Sequence, residues 1–259
     1  MQKICVVIPC YNEATRLPID QIENFLLEAD SDVHLLFVND GSNDETAVLV
    51  YTLRFQFPER IRILNLPSNM GKAEAVRQGV LHSLTRIEYE YVAYFDADMS
   101  APLSELSRLQ SAMERHHDCG FAFGSRIKVL SNHIERSLAR HYMGRVLATF
   151  TSLLLRLPVY DTQCGAKLFR ASLARVLFGE PFISKWLFDV EIFARIIHYK
   201  GYNYAHDCVC EVPLDTWIEK SDSRISFADL LLMPFELWRI RRNYSTRLRI
   251  ARKKRHAYT

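Results

Sequence analysis

The feature that most constrains this chain is the alternation of strand-like and helix-like segments through its first half. Short apolar runs, typical of strands buried on both faces, alternate with segments whose apolar residues recur at helical spacing. The predicted strands cover residues 3–8, 33–38, 60–64, 91–95 and 119–124, and the predicted helices cover residues 18–29, 44–57, 73–84 and 103–116. Repeated strand–helix–strand units predict an α/β fold with a doubly wound, mostly parallel sheet, in which ligands bind at the carboxyl ends of the strands.

The second half of the chain is predicted to continue the same domain. Its pattern is helical over residues 134–157, strand-like over 166–170, helical over 188–199 and strand-like over 202–212. Residues 227–242 have the pattern of an amphipathic helix that runs into a basic terminus. We therefore expect one domain over residues 1–225, followed by an amphipathic helix and a basic tail over residues 226–259.

A polar cluster follows each of the five predicted strands of the first half. In chain order the clusters contain Pro9, Tyr11, Asn12 and Glu13, then Asn39, Asp40, Gly41 and Ser42, then Asn69, Gly71 and Lys72, then Asp96 and Asp98, and finally Gly124, Ser125 and Arg126. Because the carboxyl ends of parallel strands meet at one edge of the sheet, these clusters are expected to form one site.

Two of these clusters indicate binding of a metal and of a nucleotide. Asp96 and Asp98 flank a single residue at the end of a buried strand, where two carboxylates can share a hard cation such as Mg²⁺ or Mn²⁺. A helix-capping loop is the alternative explanation of this spacing. Asp40 precedes a tight turn at Gly41 and is predicted to hold the base or ribose of a nucleotide. Lys72 opens a helix, where an ammonium and backbone amides attract negative charge.

Taken together and in this order, the clusters resemble the motifs of family 2 glycosyltransferases. The motifs are Val7-Ile8-Pro9-Cys10-Tyr11-Asn12-Glu13, Asn39-Asp40-Gly41-Ser42, Asn69-x-Gly71-Lys72, Asp96-x-Asp98 and Gly124-Ser125-Arg126. Residues 161–170, 186–191, 211–213 and 223–224 are similar to motifs of dolichyl-phosphate glucosyltransferases and mannosyltransferases. The resemblance implies a catalytic domain over residues 1–225 with the nucleotide-diphospho-sugar transferase (GT-A) fold. It also implies inverting transfer of a hexose from UDP-glucose or GDP-mannose to a polyprenyl phosphate.

The same resemblance implies a role for each site residue. The residues implied to hold the nucleoside are Pro9, Tyr11, Glu13 and Asp40. Asp96 and Asp98 would bind the Mg²⁺ or Mn²⁺ that neutralises the leaving diphosphate, and Lys72 would lie close to the same negative charge. Arg126 and Arg224 would contact phosphates, for which a guanidinium fork is suited. Ser100 stands where related mannosyltransferases often have a metal-binding Gln, which leaves the third metal ligand open.

Asp189 and Glu191 bear on the acceptor. A hydroxyl acceptor needs a general base to remove its proton, and either carboxylate could serve. A lipid phosphate is already an anionic nucleophile and needs no base. In that case a structural salt bridge is the alternative role for these two residues.

The charge of the chain is unevenly distributed. Residues 239–259 carry nine Lys and Arg and no Asp or Glu, which leaves 24 basic and 30 acidic residues in the rest of the chain. The segments 134–157 and 227–259 combine apolar stripes with arginine and are predicted to contact a membrane surface, although packing against the enzyme's own core would produce the same stripes. No apolar stretch approaches the roughly 20 residues of a spanning helix. We therefore expect a cytoplasmic enzyme, peripheral at the inner face of a membrane, and leave a membrane-protein partner open.

Other functions stay open at this point. An enzyme of the same fold that glycosylates a sugar hydroxyl during polysaccharide or cell-envelope glycan assembly would need Asp189 or Glu191 as its base. A noncatalytic nucleotide-sugar or membrane-binding module is a further alternative, although both Asp96 and Asp98 are present. Nucleic acid is not expected as a partner, because only the tail is basic and no nucleic-acid-binding motif is recognised.

Overall fold

A seven-stranded sheet forms the centre of the chain in a computed structural model, which describes residues 3–85, 89–128, 132–135, 148–218, 220 and 232–244. Its strands are β1 (Ile4–Cys10), β2 (Val33–Asn39), β3 (Ile61–Asn65), β4 (Tyr91–Phe95), β5 (Phe121–Ser125), β7 (Ala166–Arg170) and β8 (Val209–Pro213). They lie in the order β3-β2-β1-β4-β7-β5-β8. Only β7 runs antiparallel to its neighbours β4 and β5 within this sheet. A small parallel pair, β6 (His133–Glu135) with β9 (Thr216–Ile218), completes the strands of the described residues.

Helices cover both faces of the sheet. They are α1 (Ile19–Glu28), α2 (Thr46–Gln56), α3 (Lys72–Leu84), α4 (Glu105–Arg115), α5 (148–155), α6 (Ala171–Leu177), α7 (Phe188–Lys200), α8 (Tyr202–Asp207) and α9 (232–244). The buried apolar side chains form two hydrophobic cores, one on each face of the sheet. The first core contains side chains of α3, α6, α7 and part of α9, and the second contains side chains of α1, α2 and α4. No helix among the described residues is long and apolar enough to cross a membrane.

The strands form where they do because they are apolar on both sides. In β1, Cys5 and Val7 belong to the first core, while Ile4, Val6 and Ile8 belong to the second. Successive side chains of a strand point to opposite faces, so a strand between two helical layers needs a continuous apolar run. This requirement explains why the predicted strands of the first half correspond to β1–β5. The predicted doubly wound, mostly parallel α/β fold is confirmed.

Two local predictions in the second half are wrong. Residues 202–207, predicted as a strand, form helix α8 after Gly201, whose φ of 93° ends α7. The tyrosines of this segment favour a strand by propensity, but Ala205 is buried in the first core from a helical position. Residues 134 and 135, predicted at the start of a helix, belong instead to β6 (His133–Glu135), because this segment pairs with β9.

Several predictions fall on residues outside those that are described. These residues are 136–147 in the first apolar segment, 221–231 at the proposed domain boundary, and 245–259 in the basic tail. The boundary near residue 225 therefore remains a prediction.

Close contact between α3 and the sheet depends on Gly79. A Cβ at this position would lie 2.4 Å from Cγ1 of Val7 in β1 and 2.7 Å from Cγ2 of Val38 in β2. The absence of a side chain lets the helix approach the two strands whose carboxyl ends carry much of the site. The position of α3, which begins at Lys72, therefore depends on a helix–sheet distance that only glycine permits.

We expect Gly79→Ala to lower the free energy of unfolding by about 1–2 kcal/mol, because overpacking outweighs the better helix propensity of alanine. Denaturant unfolding of the variant measures this loss. Adding Val7→Ala makes room for the new methyl group, so the double variant should lose less stability than the sum of the two single variants. Simple additivity of the two losses would contradict the proposed contact.

Candidate active site

Asp40 organises the edge of the site at the end of β2. Its Oδ1 accepts a hydrogen bond from the backbone amide of Met70 at 2.8 Å, and its Oδ2 accepts one from the amide of Gly71 at 2.9 Å. Burial raises the pKa of the Asp40 carboxyl above its ordinary value, although the two amides act in the opposite direction. Asp40 therefore lies in the expected cluster, and its carboxylate holds the loop that precedes α3.

Gly41 makes this close approach of two loops feasible. Its φ is +67°, and a Cβ there would lie 2.6 Å from the backbone nitrogen of Asn69. Gly71 also has a positive φ, +89°, directly before α3 begins. Gly41 and Gly71 thus occupy backbone conformations that other residues rarely adopt.

Asp96 and Lys72 form an ion pair at the centre of this edge. The Lys72 Nζ lies 2.5 Å from Asp96 Oδ1, and both side chains are about one-third exposed. Loss of hydration would lower the pKa of Lys72, but the charges of Asp96, Asp189 and Asp98 together raise it above its ordinary value. The Asp96 amide donates to the carbonyl of Gly165 at 3.0 Å, and a Cβ on Gly165 would lie 2.1 Å from Asp96 Oδ2.

Asp98 is paired with a cation from another loop. Arg16, which follows β1, places its Nη2 3.0 Å from Asp98 Oδ2 and its Nε 3.7 Å from Glu13 Oε2. The amide of Ser100 donates to Asp98 Oδ1 at 3.0 Å. Arg16 therefore connects the predicted nucleoside cluster, through Glu13, to the predicted metal ligands.

The donor set at this edge suits a hard divalent cation. Asp96 and Asp98 supply carboxylate oxygens, and the charges of both act on the single ammonium of Lys72. A divalent ion that took the place of this ammonium would be stabilised by both carboxylates. Within the described residues, no group of three or more His, Cys, Asp or Glu side chains is placed to hold a metal ion.

Arg126 is held by Asp161 at the end of β5. Its Nε and Nη2 donate to the two carboxylate oxygens at 2.6 and 2.8 Å, and the guanidinium lies 5.2 Å from the ring centroid of Trp217. Loss of hydration would lower the pKa of Arg126, but the Asp161 carboxylate raises it above its ordinary value. Glu211 in turn accepts from the amides of Tyr160 and Asp161, and burial raises the pKa of its carboxyl.

Asp189 lies at the first turn of α7 and faces the same edge. Its Oδ1 is 2.7 Å from Nζ of Lys167 and accepts a hydrogen bond from the hydroxyl of Tyr94. Lys167 is fully buried and also donates to the carbonyl of Cys164 at 2.6 Å. Because the charge of Asp189 also acts on Lys72, this carboxylate belongs to the charged centre of the site.

Glu191 is buried on the other side of α7. Its Oε1 lies 2.9 Å from Nη2 of Arg195 and accepts from the hydroxyl of Tyr244 at 2.8 Å, while its Oε2 accepts from the amides of Ile183 and Ser184. Arg195 also donates to three backbone carbonyls, those of Leu177, Glu180 and Pro181. This arrangement corresponds to the salt-bridge alternative for Glu191.

The other predicted site residues are placed as follows. Pro9 lies in β1, and Tyr11 is half-buried in the loop that follows. The amide of Glu13 donates to Oγ1 of Thr46 at 2.7 Å, which joins this loop to the start of α2. Arg224 lies outside the described residues. The nucleoside and phosphate roles of these residues remain predictions.

Some residues of the site have no counterpart in the sequence-based prediction of roles. Arg16 pairs with Asp98 across 82 positions of the chain, a contact that no local pattern reveals. Lys167 and Asp161 lie within the motif at 161–170, but only the fold shows that they pair with Asp189 and Arg126. The sequence feature that could have identified Lys167 and Asp161 is a charged residue inside an otherwise apolar or motif-rich segment.

We expect Glu191→Gln to lower the free energy of unfolding by about 3 kcal/mol, because it leaves the buried guanidinium of Arg195 without its counter-charge. Chemical denaturation measures the change, and Glu28→Gln, at an exposed position of α1, is the matched control with little expected effect. If the variant keeps wild-type stability and loses only catalytic turnover, Glu191 acts in the reaction and the structural assignment fails.

Three comparisons with known proteins agree with this geometry. The sequence model described as Glycosyl transferase family 2 matches residues 5–178. Dolichyl-phosphate beta-glucosyltransferase of Dictyostelium discoideum is 31% identical over 256 residues, covering 93% of this chain and 74% of that protein. The enzyme of the same name from Saccharomyces cerevisiae is 31% identical over 262 residues, covering 93% of this chain and 75% of that protein.

A solved structure confirms the expected GT-A fold. Glucosyl-3-phosphoglycerate synthase from Mycobacterium tuberculosis, in complex with Mn²⁺, UDP-glucose and phosphoglyceric acid, superposes with a TM-score of 0.64 at 17% identity. The superposition covers 94% of this chain and 79% of that one. With a family match over most of its length and a charged site at the carboxyl edge of the sheet, the chain belongs to glycosyl transferase family 2 and is a glycosyltransferase.

Proposed function

We propose that this enzyme transfers glucose from UDP-glucose to a polyprenyl phosphate such as dolichyl phosphate, with inversion at the anomeric carbon. The relatives from Dictyostelium and yeast are both named dolichyl-phosphate beta-glucosyltransferases, which supports glucose as the sugar and does not support GDP-mannose as the donor. Inversion of the α-linked sugar of UDP-glucose gives a β-linked product. The bond from the anomeric carbon to the diphosphate breaks, the bond to the lipid phosphate oxygen forms, and UDP leaves.

The donor would bind along the edge from β1 to β4. Glu13 and Asp40 border the predicted nucleoside end, and Asp40 fixes the loop whose last glycine leads into α3. The ammonium of Lys72 and the first amides of α3 would then meet the diphosphate, as anions commonly do at helix N-termini. Asp96 and Asp98 would hold Mn²⁺ or Mg²⁺, which when bound stabilises the charge of the departing diphosphate.

The proposed acceptor rests on one observation: both carboxylates that could act as a base form ion pairs with cations. Asp189 is paired with Lys167, and Glu191 with Arg195. Oδ1 of Asp189 and both carboxylate oxygens of Glu191 already accept hydrogen bonds, so these groups offer few positions at which a sugar hydroxyl could be deprotonated. A phosphate acceptor needs no base, so this arrangement supports a lipid phosphate over a sugar hydroxyl as the nucleophile.

Helix α9 would provide the contact with the membrane that holds such an acceptor. Leu237, Ile240 and Tyr244 pack into the first core, whereas Phe235 and Trp238 remain 55% and 50% exposed on another side of the helix. Their rings stack with centroids 5.8 Å apart. A helix with one apolar side in the core and stacked aromatic rings in solvent is suited to the interface of a bilayer.

Basic residues extend the same surface. Arg239, Arg241 and Arg242 are exposed on α9, and the guanidinium of Arg242 lies 5.3 Å from the ring centroid of Trp238. Phe150 and Leu153 are exposed on α5, which lies within the other segment predicted to contact a membrane. Arginine next to exposed aromatic rings favours anionic lipid, and we propose a peripheral position at the cytoplasmic face of a membrane.

Helix α9 contacts the segment that leads into α7. Ser184 donates to Glu236 at the start of α9 and accepts from the amide of Leu187, directly before α7. The first turn of α7 carries Asp189, which lies at the charged centre of the site. Helix α9 is therefore linked through Ser184 to the helix that carries Asp189.

We expect purified enzyme with Mn²⁺ and a short polyprenyl phosphate to move label from UDP-glucose, and not from GDP-mannose, into the lipid phase. Asp98→Ala should abolish the transfer, because one of the two carboxylates for the metal is lost, while Asp20→Ala on α1 serves as the control. Label in a water-soluble oligosaccharide instead would favour the hydroxyl-acceptor enzyme. Binding of UDP-glucose without any transfer would favour the noncatalytic module.

We expect Phe235→Ser with Trp238→Ser to weaken binding to vesicles containing anionic phospholipid by roughly tenfold or more, because two aromatic side chains no longer enter the interface. Vesicle co-sedimentation measures the change. Phe55→Ser, at an 88% exposed aromatic of α2, is the matched control and should leave binding unchanged. Equal loss in the control and in the α9 variant would contradict the assignment of the surface.

A further inference from the structure

Each carboxylate of the predicted metal pair is neutralised by a cation from a different loop. Lys72, the first residue of α3, lies against Asp96, and Arg16, from the loop after β1, lies against Asp98. Neither cation belongs to the strand or turn that carries the aspartates. Two carboxylates separated by one residue repel each other, so both are more stable with a positive charge nearby.

Both cations are accessible from the site and are not locked in the core. The side chain of Arg16 is 19% exposed and that of Lys72 is 34% exposed, in contrast to the fully buried Lys167. Lys and Arg side chains are long and have many rotamers, so a partly exposed pair can exchange partners at small cost. A ligand at this edge can therefore rearrange these two ion pairs.

We propose that Arg16 and Lys72 act as internal counter-ions that a divalent metal must displace from Asp98 and Asp96, and that the released cations then bind the diphosphate of the donor. This inference rests on the proposed function, because it needs a metal and a nucleoside diphosphate at the same edge. It assigns Arg16 a role in positioning the donor. It also gives Lys72 two successive partners, a carboxylate in the donor-free enzyme and phosphate oxygens in the complex.

The arrangement makes the binding of metal and of nucleotide interdependent. A metal ion that binds alone takes Asp96 from Lys72 and takes Asp98 from Arg16, which then keeps Glu13 as its more distant partner. A metal ion that binds together with UDP leaves them next to phosphate oxygens, which accept hydrogen bonds from both kinds of side chain. Coupling of this kind is reciprocal: UDP tightens metal binding by the factor by which metal tightens UDP binding.

The test measures Mn²⁺ binding directly, through the electron paramagnetic resonance signal of free Mn²⁺, with and without UDP and without acceptor. In the wild-type protein we expect UDP to tighten Mn²⁺ binding by about tenfold or more. Lys72→Met and Arg16→Gln should each tighten the binding of Mn²⁺ alone by about threefold or more, because a competing cation is gone. In both variants the additional gain from UDP should shrink, because a phosphate partner is also gone.

Arg77→Gln is the matched control. Arg77 lies on α3 one turn and a half beyond Lys72 and pairs with Glu74 at 2.7 Å, so its loss should change neither affinity. Thermal unfolding of every variant verifies that the fold is intact, and the double variant Arg16→Gln with Lys72→Met repeats the measurement with both counter-ions removed.

Weaker or unchanged binding of Mn²⁺ alone in all three Arg16 and Lys72 variants, with UDP and Mn²⁺ still bound together, would overturn the proposed displacement and leave the proposed function intact. No binding of UDP by the wild-type protein, even with Mn²⁺ present, would overturn the proposed function itself. The two failures are therefore distinguishable in one set of titrations.

Discussion

The compensation of negative charge at the carboxyl edge of the sheet is the constraint on which the site depends. The charges of Asp96, Asp98 and Asp189 all raise the pKa of Lys72, so these three carboxylates lie in one small region. Such a group of like charges is stable only with cations or hydrogen-bond donors around it. Lys72 and Arg16 supply partly exposed cations, and Lys167 supplies a fully buried one.

The fold explains why these groups meet. β1, β2 and β4 are neighbouring parallel strands, so the loops that follow them begin at the same edge of the sheet. β7 enters antiparallel between β4 and β5, which brings the start of β7 to the end of β4. Gly165 can then lie against the carboxylate of Asp96, and the buried Lys167 can reach Asp189. A single reversed strand thus adds a buried cation to a site that parallel strands alone would leave more acidic.

The two faces of α7 link the site to the surface of α9 that is proposed to contact a membrane. Asp189 points to the charged centre, whereas Glu191, two residues later, is held by Arg195 and Tyr244 on the side of α9. The same helix therefore carries one carboxylate of the active site and one that contacts α9 through Tyr244. Because α9 carries the exposed aromatic pair, its attachment to α7 determines where a lipid surface would lie relative to the donor.

The strands of the first half and the polar clusters after them were predictable because both are local in sequence. An apolar run such as residues 91–95 identifies a buried strand, and the position of Asp96 and Asp98 follows from where that strand ends. The ion pairs were not predictable, because Arg16 and Asp98 are 82 positions apart and nothing in the intervening sequence relates them. Only the fold distinguishes the two roles considered for Glu191, a catalytic base and a salt-bridge partner. Its spacing of four residues from Arg195 on a helix is compatible with both roles.

The position of Mn²⁺ bound together with UDP is the most direct test of the proposed metal site and of the proposed displacement of its counter-ions. Anomalous diffraction from crystals of the protein grown with Mn²⁺ and UDP would locate the ion. We predict one strong peak between the carboxylates of Asp96 and Asp98, with the side chains of Lys72 and Arg16 turned toward the diphosphate. An ion bound elsewhere, or UDP bound with both ion pairs still in place, would contradict this prediction.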